Sequence, residues 1–143
     1  MHVPGLRSPN GKVGGIVYFG RMLDKIRLEA AGRLPAGYNL GTEDWWFFDA
    51  RCTRFLNVEY GALKERVLLG GSDEEVLQWC FREGRKPIEE EIEIWNAFMA
   101  KRGWRDVASD GLEEAKDEYG LSQRKDIATW FDLFDADEAK DSV

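Results

Sequence analysis

The sequence predicts an all-α protein: a compact single-domain bundle of six or seven short helices. Three observations carry that expectation. Apolar residues recur at three- and four-residue spacing along most of the chain. Almost nothing alternates with period two, and Gly, Pro or a capping residue interrupts the pattern at short intervals. The only candidate strand is short, at Phe55–Tyr60. Helices this short are marginal alone in water, so packing must hold them.

The elements follow in order. Residues 1–15 read as an extended N-terminal arm, with GKVGG at 11–15 as a turn. The first helix is expected over 17–32, with Phe19, Leu23, Ile26 and Ala30 inward and Arg21, Lys25 and Glu29 pointing elsewhere. Gly32 stops it, and Gly20 inside it suggests close approach of another backbone. Residues 33–44 read as loop. The next helix starts at Asp44 or Asp49, either of which can cap it, and buries Cys52, Phe55 and Leu56. A third helix near 59–69 carries Leu63 and Val67 inward and ends at Gly70-Gly71. Ser72-Asp-Glu-Glu75 is a capping box, the clearest local signal in the chain. It opens a helix that buries Val76, Trp79 and Cys80, with Phe81 beside them, and stops at Gly84. A fifth helix, 88–102, uses Ile88, Ile92, Trp95 and Met99 at steps of four, three and four. Two more are expected: 110–119 with Leu112, Ala115 and Tyr119, and 123–135 capped by Ser122 with Ile127, Trp130, Phe131 and Phe134.

The totals exclude several functions. The 143 residues are enough to bury a core without staples, and 43% hydrophobic with 33% charged is the balance of a soluble globular protein. No apolar run approaches the ~18 residues of a membrane span, so no membrane is expected. The N-terminus lacks an apolar signal core, which predicts a cytoplasmic protein with Cys52 and Cys80 reduced. Residues 109–143 hold 11 acids and 4 bases and so carry the whole net charge of −7. With no compensating basic stripe in the body, nucleic acid is not an expected partner.

The single histidine, His2, removes Ser-His-Asp and Cys-His catalysis in their usual forms. Two cysteines 28 positions apart make no zinc site alone, and a Cys52 nucleophile would need a lowered pKa. FDLFDADEAKD at 131–141 lacks the glycine and register of an EF-hand, and reads as a solvated acidic helix end. GKVGG lacks the frame of a phosphate loop. No metal and no cofactor are therefore expected.

GTEDWWFFDARCTRFL at 41–56 is the best constellation. Arginines among aromatics suit a flat or anionic ligand: Arg51, Arg54 and Arg21 can fork a carboxylate, and Asp49 can orient an arginine. Equally, Asp49 caps the helix, Arg51 and Arg54 lie on its outer face, and the rings pack under the loop. A helix turns each side chain by about 100°, so four consecutive rings cannot all face inward. Trp45, Trp46 and Phe47, with Trp104 of KRGWRD, are thus the candidate interaction surface.

VPGLRSP (3–9), VYFGRMLDKIRLEAAGRLP (17–35), DARCTRFL (49–56), GGSDEEVLQWCF (70–81), EEIEIWNAFMAKRGWRD (90–106) and the closing FDLFDADE together resemble one bacterial family, domain of unknown function 5069. That family has no established activity, so the resemblance implies a small soluble bacterial protein and no catalytic role. It implies a shorter, less aromatic connection at 41–48, which makes the WWFF run particular to this chain. The charged residues in the matching blocks, Arg7, Arg21, Asp24, Lys25, Asp49, Arg51, Arg54, Arg102 and Asp106, are candidates for a shared polar site.

The leading expectation is a helical binding module. It holds a small anionic ligand or an acidic partner segment in a groove lined by Arg21, Lys25, Asp49, Arg51 and Arg54. The alternatives are a small enzyme with Asp49 or Asp24 as general base and an arginine stabilising charge, and a homodimer formed through an aromatic patch.

Overall fold

The computed structural model describes residues 1–139. Its elements are a hairpin, β1 (Lys12–Val13) and β2 (Ile16–Val17), then α1 (Phe19–Ala30), α2 (Phe48–Leu56), α3 (Tyr60–Leu68), α4 (Asp73–Glu83), α5 (Glu89–Lys101), α6 (Ser109–Glu118) and α7 (Trp130–Glu138). The fold is mostly α, as the periodicity predicts.

The hairpin was not expected. Gly14 and Gly15 form its two-residue turn, both at positive φ, which matches the right-handed twist of the strands. Two-residue strands are too short to leave a period-two signal. The proposed strand at Phe55–Tyr60 is instead the end of α2, a left-handed Asn57 and the start of α3. Asn57 closes α2, with Val58 N–H donating to Thr53 O, and the Glu59 side chain caps α3 by accepting from Ala62 N–H at 2.6 Å.

α1 runs through the middle of the molecule. The amphipathic stripe expected there is replaced by burial nearly all round: Phe19 through Ile26 are buried, Arg21 and Lys25 included, while Ala30 is exposed. One face joins Val13, Ile16, Leu56, Leu63, Val67, Leu77 and Met99 in the main core. The other face is polar. Gly20 is needed because the Arg7 guanidinium, not another backbone, crosses it: a Cβ there would stand 2.5 Å from Arg7 Nη1. Cys52 and Cys80 are free thiols inside the core, where burial pushes Cys80 up to about 12 and Cys52 also upward. Neither is a nucleophile at neutral pH.

The capping box of α4 forms as expected, with Ser72 Oγ accepting from Glu75 N–H and Glu75 accepting from Ser72 N–H, both at 3.1 Å. Val76, Leu77 and Cys80 are buried, and Trp79 and Phe81 only partly. α5 buries Trp95 and Met99 against β2 and α7, but Ile88 is exposed. Trp95 donates to Val17 O at 3.1 Å, and Asn96 pairs with Val17 N–H and Gly15 O. α7 begins seven residues later than the Ser122 start predicted, because Thr129 caps it by accepting from Asp132 N–H. Tyr119 is exposed rather than inward. Leu112, Ile127 and Leu133 form a small second core between α6 and α7.

Candidate functional site

The candidate residues separate into two places. Arg21, Lys25 and Asp49 come together inside the molecule. Tyr18 sits at φ 73°, a left-handed conformation that costs a tyrosine about 1–3 kcal/mol. That backbone sends its ring between Phe48 and Phe131 and its hydroxyl to Asp49 Oδ1 at 2.6 Å. Lys25 Nζ donates to Tyr18 Oη and Asn39 O, both at 2.7 Å, and lies 2.8 Å from Asp49 Oδ1. Gly41 N–H donates to Asp49 Oδ2 at 2.8 Å. Lys25 is 4% exposed and Asp49 0%. Burial pushes the Lys25 ammonium below its ordinary value, against the pull of Asp49. Burial and then Asp49 push the Tyr18 phenol well up.

Asp49 is therefore neither a helix cap nor an outward hydrogen-bond partner for an arginine. The residue before α2 is Phe47, which makes no side-chain cap, and Asp49 turns inward from the first turn. A carboxylate with both oxygens engaged and no exposed surface has no face to offer a substrate proton. Asp24 is likewise engaged by Arg7, through Nε at 2.8 Å, Nη2 at 2.9 Å and the backbone N–H at 3.0 Å.

Arg21 is also sealed. It forks Glu138 of α7 at 2.6 and 2.7 Å, lies over the Phe134 ring, and donates to Arg7 O. The acidic end of α7 is thus an internal counterion as much as a solvated end: Asp135 accepts from Asn10, and the amino terminus meets Asp137. Asp141 lies outside the described residues. Arg7 and Arg27 converge on Asp73 at 2.7 and 2.8 Å. Burial raises Asp73, but those two guanidinium hydrogen bonds outweigh it and hold the carboxyl below its usual range. Among the described residues this face of α1 is covered, so it does not form the wall of an open groove.

Arg51 and Arg54 face the other way. Arg51 lies between two rings, 5.3 Å from the centroid of Trp45 and 5.2 Å from that of Phe98 on α5. Arg102 covers Phe98 at 5.4 Å. Arg54 donates to Trp45 O at 2.8 Å, pinning the loop that carries the aromatic run. Among the described residues no carboxylate lies within ion-pair distance of Arg51 or Arg54. Arg51 Nε is buried without a hydrogen-bond partner. Burial, then Arg102 and Arg54, push the Arg51 guanidinium below its ordinary value.

The aromatic run lies mostly in the turn before α2, so no helical rotation orders it, and Phe47, expected on the surface, turns inward instead. Trp45 is 67% exposed and Trp46 50%, Phe47 is buried, and Phe48 packs on the core. Trp104 is exposed with Arg105 over its ring at 5.0 Å. Beside Phe98, a shallow groove of about 350 Å³ is lined by Phe55, Arg85, Glu91, Ile94, Trp95 and Phe98. Phe98 and Ile94 escaped the sequence reading, although two large apolar residues four apart, off the buried stripe of α5, were a visible signal. Tyr18 and Glu138 left none.

No group of three or more His, Cys, Asp or Glu among the described residues is arranged to hold a metal ion. No described helix is long and apolar enough to cross a membrane.

The fold and this site define a mostly α-helical protein that encloses one set of cations and displays another beside exposed rings. The chain belongs to the domain of unknown function family DUF5069, matched over residues 3–140. No curated protein matches it.

Proposed function

We propose that the protein is a binding module whose arginine–aromatic face engages an acidic protein segment. The observation that supports this most directly is Arg51, held between Trp45 and Phe98 with no carboxylate partner among the described residues and with Arg54 and Arg102 beside it. Arg102 is paired with Asp106 at 3.5 Å, but among the described residues Arg51 and Arg54 have no such partner, and an anion relieves their charge. Exposed Trp and Arg are the residue types that carry binding energy at protein interfaces. The groove next to them is shallow and open along α5, which suits a protein surface better than an enclosed small molecule.

Calorimetric titration tests the reading with glutamate-rich peptides containing one aromatic residue, against glutamine versions of the same peptides. The acidic peptides should bind, and binding should weaken with added salt. Arg51→Ala with Arg54→Ala should lower affinity at least about tenfold, the loss of one charged hydrogen bond at about 1.5–3 kcal/mol, while the melting temperature stays put. Equal affinity for the glutamine versions, or an unaltered affinity in the double variant, would overturn it.

A further inference from the structure

The exposed positions on the outward face of α5 are symmetric about its middle. Its exposed positions between Glu90 and Lys101 are Glu90, Glu93, Ile94, Ala97, Phe98 and Lys101. They fall symmetrically about the point midway between Trp95 and Asn96: Glu90 mirrors Lys101, Glu93 mirrors Phe98, and Ile94 mirrors Ala97. The face thus runs from acid through an apolar centre to base. Among the described residues, Glu90, Glu93 and Lys101 form no ion pair, so these charges are uncommitted. A face of this kind is complementary to itself when reversed, the requirement for a two-fold contact.

We propose that the acidic partner of the arginine–aromatic face is a second copy of this chain, docked with α5 antiparallel to α5; this rests on the binding reading above. The partner's Glu90 then meets Lys101. The partner's Glu93 arrives level with Phe98, the ring on which Arg51 and Arg102 both lie. Ile94 packs on the partner's Ala97, whose small side chain lets the helices approach closely. Antiparallel helix dipoles add a modest attraction. The shared stripe is only about 16 Å long at 1.5 Å per residue. A stable interface buries about 800 Å² on each side, so Trp45 and the groove at Phe55 must supply its rim.

Sedimentation equilibrium on the full chain at micromolar to sub-millimolar concentration tests the proposal. The wild type should reach dimer mass. Glu90→Lys alone and Lys101→Glu alone should each raise the dissociation constant at least about tenfold. The double swap should restore the dimer, and an equal mixture of the two single variants should form a heterodimer. All three positions to be changed, Ile94 included, are exposed, so circular dichroism should match the wild type in every variant, and Ile94→Asp should leave a folded monomer. A wild type that stays monomeric overturns the dimer, as does a dimer indifferent to the charge swaps. If the chain is monomeric but acidic peptides still bind in an Arg51-dependent manner, the second copy is wrong and the binding reading stands. If neither association occurs, both fall.

Discussion

Arg21 and Lys25 on α1, and Arg51 on α2 with its rings, solve the same chemical problem in opposite ways. Each set places cations against aromatic rings. On α1, Arg21 and Lys25 each have a carboxylate and almost no exposed surface; by Arg51 the rings remain, but among the described residues it has no carboxylate of its own. Charge beside aromatics is therefore a poor guide to a site. The difference lies in whether the chain supplies its own anion. Where it does, the cluster secures the fold; where it does not, the cluster is available to something else.

The largest effect that would sharpen this contrast comes from Lys25. Lys25→Met leaves Asp49 buried without its cation and should cost about 3–5 kcal/mol in urea unfolding. Adding Asp49→Asn should recover much of that loss, because the stranded charge is gone. A loss under about 1 kcal/mol would mean the sealed side is not structural in the sense argued. Tyr18→Phe should cost less, about 1–2 kcal/mol, since Lys25 and Asp49 keep each other and lose only the bridging hydroxyl. Gly20→Ala should lie in a similar range, about 1–3 kcal/mol, by forcing Arg7 off Asp24 and Asp73.

The smallest effect appears in acid. Asp73 binds its proton less readily folded than unfolded, so its contribution is present above the ordinary carboxyl value of about 3.9 and fades as pH falls below it. Thermal melts of Asp73→Asn should therefore show a shallower decline below pH 4 than the wild type. An unchanged acid limb would remove Asp73 from the stabilising set.

Much of the helical frame was legible in the chain because its signals are local. Ser72 and Glu75 are three apart and found each other, and the Gly70-Gly71 pair ends α3 where expected. Of the three rings expected outward before α2, Trp45 and Trp46 are exposed but Phe47 is buried, a choice that local spacing does not encode. The sealed network could not be read because its members are distant: Arg21 meets Glu138 across 117 positions, and Lys25 meets Asp49 only after α2 has packed. A lysine at that spacing looks like any solvated residue of an amphipathic helix. The start of α7 was missed for a different reason. Ser122 and Thr129 are both plausible caps, and only the packing of Ile127 and Leu133 into the second core chooses between them.

The Arg21–Glu138 fork carries a lesson about synthesis. On the ribosome, α1 emerges early, yet the guanidinium at its centre meets its anion only after residue 138 has left the exit tunnel. Until then the nascent protein holds a helix whose interior charge lacks this partner, so closure around Arg21 must wait for α7 to be made.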